Sequence, residues 1–294
     1  MAAVATAPLV TVVIPTLNNR FLIELCLRSM RRCTTSPFCV IVKDNGSTDG
    51  TREYVEASGL ADLVLTSPDN DFDNVEYRTY DDVIRNHVRT PFFLVCHSDV
   101  VFLHADWIDD IRRHAGNDRD TVMGGRIFPA RRHGDWIAGR WLAPWYAWGR
   151  TAAFTELQLT WQRKSPAWCA RHLADVRAYF GEDLLAEHPG ARLFWEHGGY
   201  LISQIDRQGR TLVDCEPSGV FHIGDMTGSV VKGAQFPDAA DVPRRVSRAG
   251  AIRQFIQRTL EGREGTDRDL ARACEAVVAF AREHDFEILQ QFRG

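Results

Sequence analysis

The sequence predicts an α/β protein whose core is a sheet covered by helices on both faces. Three observations predict it. Short β-branched or aromatic runs alternate with helix-period stretches across the first hundred residues. These runs are apolar throughout rather than alternating, the pattern of strands buried on both faces. Three of them end in a polar cluster, as strands do at the lip of a doubly wound sheet where ligands bind. The totals allow such a core. A chain of 294 residues, 45% hydrophobic and 25% charged, is ordinary for a globular protein. At this length about three quarters of the unfolded surface is buried on folding.

The elements follow in order. Val10–Pro15, "VTVVIP", is a strand stopped by its proline. Arg20–Arg32 sets Leu22, Leu25, Cys26, Ser29 and Met30 on one helical stripe. Phe38–Val42, "FCVIV", is a second strand; it runs into Lys43–Gly50, turn residues that supply N-caps for a helix over Thr51–Ala57. Leu63–Thr66 is a third strand, Val75–Val88 a helix, and Phe92–Cys96, entered through Pro91, a fourth strand. Helices are expected over Ala105–Ala115 and Gly199–Gln208, and strands over Thr121–Phe128, Thr211–Val213 and Val220–Ile223. Residues 129–190 read as irregular and carry Trp136, Trp141, Trp145, Trp148, Trp161 and Trp168. From Arg248 to Phe292 the pattern is helical, with a break near Gly262–Gly265.

Several classes drop out. A net charge of −4 argues against a nucleic-acid binder. No stretch reaches the ~18 apolar residues that span a bilayer, so no integral membrane segment is expected. The opening "MAAVATAPLV" lacks the basic and apolar regions of a secretory signal. Cys26, Cys33, Cys39, Cys96, Cys169, Cys215 and Cys274 are scattered, with no C-x-x-C pair, and read as reduced core thiols of a cytosolic protein. After the first strand stands "PTLNNR", not a glycine-rich phosphate loop, and no G-x-S-x-G occurs. What remains at the strand ends is acidic and amide-rich: Thr16-Leu17-Asn18-Asn19, Lys43-Asp44-Asn45 and His97-Ser98-Asp99. Asp44 suits a base or ribose. Asp99, if it does not merely cap a loop, suits a divalent cation; carboxylate and diphosphate oxygens favour Mg²⁺ or Mn²⁺.

Three quoted pieces, "VTVVIPTLNN", "VIVKDNGSTDGT" and "FFLVCHSDVVF", resemble the family-2 nucleotide-sugar glycosyltransferases of the GT-A fold. The family's pieces are a strand ending Pro-Thr-x-Asn, an Asp-(Asn/Gly)-Gly-Ser-x-Asp-(Gly)-Thr turn, and a strand ending Asp-x-Asp. The match from Asp44 to Thr51 is the most specific. The resemblance, good over residues 10–130 and weaker over 190–225, implies a GT-A-like, Rossmann-type mixed sheet flanked by helices; a Trp-rich insert and a helical C-terminal extension, read from composition and periodicity, complete the expected fold. It divides the chain into a nucleotide-sugar-binding half (1–130), an acceptor-binding and catalytic half of the same domain (131–225) and the extension (226–294). It also implies roles. Pro15, Thr16 and Leu17 would pass under the base, and Asp44 would bind it, with Asn45 alongside. Asn70 and Arg85 would meet ribose or diphosphate. Asp99, last of the triplet, would ligate the metal, and His222 would complete its shell. His97 stands where the family has its first Asp, a position that contacts sugar or ribose, with Ser98 between them. "FWEHGGYLISQ" resembles the family's Glu-Asp motif, so Glu196 or His197 would be the general base, with Asp183 a third candidate.

The function so implied is inverting, metal-assisted transfer of a sugar from a UDP-linked donor to a small-molecule, glycan or lipid-linked acceptor. It would take place in the cytoplasm, with access to the inner face of the membrane. The alternatives are a non-catalytic nucleotide-sugar-binding protein and a sugar nucleotidyltransferase. The tryptophans suit sugar rings, aglycones, lipid surfaces or a satellite core. Arg126, Arg131, Arg132, Arg140 and Arg150 suit an anionic acceptor or solvent. Nothing in the sequence sets the donor sugar, the acceptor or the oligomeric state.

Overall fold

The computed structural model describes residues 7–67, 72–102, 107–133, 136–162, 168, 171–180, 182–190, 192–194, 198–215 and 220–222. The expectations for Asn70, Glu196, His197 and the 226–294 extension lie outside these residues.

The first half follows the sequence closely. β1 is Val10–Thr16, α1 Arg20–Cys33, β2 Cys39–Asp44, α2 Thr51–Ser58, β3 Leu63–Thr66, α3 Phe72–His87 and β4 Phe92–Cys96. Then come β5 (Val100–Phe102), α4 (Trp107–Ala115), β6 (Thr121–Phe128), β7 (Arg131–His133), β8 (Trp136–Ala138) and β9 (Trp141–Arg150). The rest comprises α5 (Thr151–Glu156), α6 (Leu173–Phe180), α7 (Glu182–Glu187), β10 (Arg192–Phe194), α8 (Gly199–Arg207), β11 (Thr211–Asp214) and β12 (Val220–His222).

The main sheet runs β11-β6-β9-β4-β1-β2-β3. β4, β1, β2 and β3 are mutually parallel, as helix crossovers require. Successive side chains on a strand face opposite layers. Val12, Ile14 and Leu94 therefore pack under α1 and α4 with Ile23, Cys26, Met30, Trp107 and Ile111. Val13, Phe93 and Val95 pack under α3, α5 and α8 with Tyr80, Ile84, Phe154, Leu201 and Ile205. Each such side chain contributes about 1.5–3 kcal/mol on leaving water, more than helix propensity supplies. The buried stripes therefore hold the helices in place.

The expectation of irregular structure over 129–190 is corrected by β9. This tryptophan-rich strand lies antiparallel between β4 and β6, inside the main sheet, and makes the sheet mixed. Pro144 hid it, because a central strand ordinarily excludes proline. The structure tolerates Pro144 because β4 pairs only with Tyr146–Arg150, and the β6 register shifts between Gly125 and Ile127, opposite the proline. Trp148 and Trp161 are core residues, each 1% exposed. Arg150 is no acceptor contact: its guanidinium donates to the carbonyls of Ala115, Gly116, Asp118 and Thr121, closing the end of α4.

Candidate functional site

The parallel strands end together at one edge, and the order β4-β1-β2 decides what meets there. Thr16 on β1 is in register with Asp44 on β2, while β4 pairing with β1 stops at Val13 and Val95. Pro15 therefore falls beyond the last β4 pair, where its missing N–H costs no ladder bond. Asp44 and the His97–Asp99 turn flank β1 from either side, about 10 Å apart at two strand spacings.

Asp44 is 2% exposed. One carboxylate oxygen, Oδ2, accepts the backbone N–H groups of Gly46 and Ser47 at 3.1 and 3.0 Å, which shapes the Asp44–Thr51 turn. The other, Oδ1, is buried without a hydrogen-bond partner, and so is Thr16 Oγ1. A buried polar atom left unpaired costs about 1–3 kcal/mol, so a polar ligand at this corner would recover that loss. Asn45 turns away from the corner: its N–H donates to Thr16 O at 2.9 Å and its side chain accepts from Thr79 Oγ1 at 3.5 Å. Leu17 is buried beneath the turn.

On the other side of β1, the chain leaves β4 at Cys96, makes the His97–Asp99 turn and re-enters a strand as β5. β5 pairs antiparallel with β12, with His222 opposite Val100. That register brings a residue 123 positions downstream beside Asp99. His222 Nε2 stands 3.2 Å and His97 Nδ1 3.8 Å from Asp99 Oδ1. All three ligand-capable atoms lie within 4.8 Å of one another, a group with metal-ligand spacing among the described residues. Asp99 Oδ1 and His222 Nε2 are buried, and neither has a hydrogen-bond partner of ordinary alignment despite their closeness. Burial pushes the Asp99 carboxyl up, but the His222 and His97 imidazoles and a backbone amide more than offset it. The carboxyl is held below its ordinary value and is ionised at neutral pH.

Residues absent from the expected set hold this turn in place. Asn19 Nδ2 donates to Ser98 Oγ at 2.7 Å, and Asn19 N–H donates to Thr51 Oγ1 at 3.0 Å, tying the triplet to the Asp44–Thr51 turn. Ser98 is thus a buried tether of the turn. Asn18, at φ 46, accepts from Thr48 N–H at 2.7 Å. Both asparagines stood in the polar run after β1, which was the available signal. Trp145, on β9, stacks on His222 with centroids 5.0 Å apart and planes 5° apart, and its carbonyl accepts from His97 N–H at 3.4 Å. It stood in the tryptophan-rich run, but no pattern placed it beside His222. Beneath the turn the thiols of Cys26 and Cys96 both donate to the His97 carbonyl, at 3.8 and 3.3 Å. The five described cysteines are free.

Two expected residues are not brought to the cleft. The Arg85 guanidinium donates to Leu159 O at 2.5 Å and lies over Phe154, in the layer under α3. The structure thus gives this guanidinium partners in the layer under α3. Asp183 is exposed on α7.

The fold and cleft define a class: a mixed α/β protein with two buried carboxylates at the carboxyl edge of its sheet. The comparisons narrow it. The glycosyl transferase family 2 sequence model matches residues 11–63, from β1 to the start of β3. The chain resembles the family-2 nucleotide-sugar glycosyltransferases. Validoxylamine A glucosyltransferase of Streptomyces hygroscopicus subsp. limoneus is 46% identical over 57 residues, 19% of this chain and 13% of that protein. The shared stretch thus spans about an eighth of that relative's length. Among solved structures, a mannosyltransferase of Pyrobaculum calidifontis in complex with GDP-Man and Mn²⁺ is 15% identical at a TM-score of 0.48, covering 95% of this chain and 76% of that one. Glucosyl-3-phosphoglycerate synthase of Mycobacterium tuberculosis, in complex with Mn²⁺, UDP and phosphoglyceric acid, is 14% identical at a TM-score of 0.45, covering 83% and 79%. No helix among the described residues is long and apolar enough to cross a membrane.

Proposed function

We propose that this chain is a glycosyltransferase: it moves a sugar, with inversion, from a UDP-linked donor to an acceptor hydroxyl. One observation carries the reading. Two buried carboxylates with unpartnered oxygens, Asp44 and Asp99, flank the end of β1 inside a sequence frame that resembles family 2.

Asp44 Oδ1 and Thr16 Oγ1 would pair with the polar edge of the base, since both are buried and unmatched. A carboxylate accepts but does not donate, so Asp44 selects a base that presents an N–H, as uracil does. Asp99 and His222 would hold Mn²⁺ or Mg²⁺. The donor set fits, because an ionised oxygen and an imidazole nitrogen face each other at 3.2 Å without a satisfying hydrogen bond. The bound cation would neutralise the charge that gathers on the departing diphosphate. The acceptor oxygen attacks the anomeric carbon as the bond from that carbon to the phosphate oxygen breaks. Its proton passes to Glu196 or His197, the residues assigned as base from the family resemblance. Gly198, at φ 64, follows them directly and opens α8. A Cβ there would come within 2.9 Å of the Leu142 carbonyl, so the backbone at Gly198 is closely confined.

The test is a transfer assay with a panel of nucleotide sugars and Mn²⁺, read by release of the nucleoside diphosphate. Asp99→Asn is expected to lower turnover by about 100-fold or more, since it removes the anionic member of the His97, Asp99 and His222 group. Hydrolysis or transfer that is unchanged in Asp99→Asn sinks the mechanism. UDP binding without any transfer leaves a binding protein instead.

A further inference from the structure

We propose that His97 is a third protein ligand, so that His97, Asp99 and His222 capture a transition-metal cation before any nucleotide arrives. The inference rests on the reading of this cleft as a metal site and extends it at the position where the chain departs from the Asp-x-Asp pattern. Donor atoms that share one ion at about 2.0–2.2 Å cannot stand more than about 4.3 Å apart. The 3.2 Å and 3.8 Å separations from Asp99 Oδ1 meet that limit, and the full group lies within 4.8 Å. Only a small side-chain adjustment separates this arrangement from three-point ligation.

Two further observations support it. Protein contacts hold the site: Trp145 stacks its indole on His222 and its carbonyl accepts the backbone N–H of His97, so one residue of β9 packs on the His222 ring and fixes the main chain at His97. Ser98 is tied to Asn19 between them, so the turn that spaces His97 from Asp99 is fixed at its middle. The chemistry also differs from an Asp-x-Asp site. Two neutral imidazoles and one carboxylate carry a single negative charge and two nitrogen donors, a set that suits manganese, cobalt or zinc and serves the harder, oxygen-seeking magnesium poorly. A site with one protein carboxylate needs the diphosphate to complete it; a site with three protein ligands does not.

The experiment titrates the intact chain with MnCl2 alone, followed by electron paramagnetic resonance, and with CoCl2 alone, followed by visible absorption. Each titration is repeated with MgCl2 as competitor and again with UDP present. The variants are His97→Ala and His97→Asp, with thermal melts to confirm folding. The wild type is expected to bind Mn²⁺ without nucleotide and to resist displacement by a tenfold excess of Mg²⁺. His97→Ala should weaken nucleotide-free Mn²⁺ binding by about tenfold or more while keeping much of the UDP-dependent binding. His97→Asp should shift competition toward Mg²⁺. Equal nucleotide-free affinity in the wild type and a folded His97→Ala overturns the inference. So does Mn²⁺ binding by the wild type only when UDP is present, a result that leaves the glycosyltransferase reading standing. No metal binding with or without UDP defeats both.

Discussion

Asp99 is a carboxylate kept ionised in a nearly dry setting, which two nearby imidazoles and a backbone amide make tolerable. Asp44, also buried, gives one oxygen to two backbone amides and leaves the other without a partner. Asp44→Asn keeps the turn's acceptor but places an N–H₂ where the base would offer its own N–H. We expect UDP affinity, measured by calorimetry, to fall about tenfold or more, in line with the loss of a hydrogen bond to a charged group. Tyr54 carries a prediction of another kind. Its half-buried phenol is pushed up to about 12, by desolvation first and then by Glu24, against the opposing pull of Arg28. The raised value means that the neutral phenol stabilises the contact between α1 and α2. That stability is full below pH 10 and is lost as the pH climbs toward 12. Ultraviolet titration should show late-ionising tyrosines, of which the Tyr54 contribution vanishes in Tyr54→Phe while that of the buried Tyr146 remains; an unchanged titration curve refutes the assignment.

At the scale of elements, the strand ends Thr16, Asp44 and Asp99 were legible because β-branched runs and turn residues are local signals. Three features were not. β9 was hidden by Pro144 and by an aromatic density that resembles a surface more than a strand. The neighbouring place of His222 depends on the pairing of β5 with β12, a register between short strands far apart in sequence. The inward turn of Arg85 depends on a carbonyl at Leu159 that no periodicity marks. The packing of β9 also explains two glycines. A Cβ on Gly124 would meet the Trp148 ring at 2.5 Å, and one on Gly149 would meet Phe93 at 2.4 Å. Glycine on one strand thus makes room for a ring on the next. Gly149→Ala is expected to cost about 1–3 kcal/mol in denaturant titration, because Phe93 is fully buried and has nowhere to move. A loss within error would show that the ring relaxes freely.

For the whole molecule, the expected division at residue 130 is not a division of the sheet. The sheet itself is shared, since β9 from the second half bonds to β4 from the first, and β11 bonds to β6. Its two core layers likewise draw on both halves: Trp148 packs with Val12 and Leu94, and Leu201 with Val13. A chain cut after residue 130 is therefore expected to lose nucleotide binding and to aggregate, as seen by size-exclusion chromatography, even though it retains Asp44, His97 and Asp99. A monodisperse, UDP-binding fragment would contradict the shared-sheet account.

The position of β9 bears on how the protein is made. While the polypeptide emerges from the ribosome, Phe92–Cys96 waits for its neighbour until some fifty more residues have been translated. During that interval a greasy strand offers a bare row of amides and carbonyls to any passing partner. Nascent chains stalled before Trp141 should therefore recruit trigger-type chaperones, and those stalled well beyond Arg150 should release them.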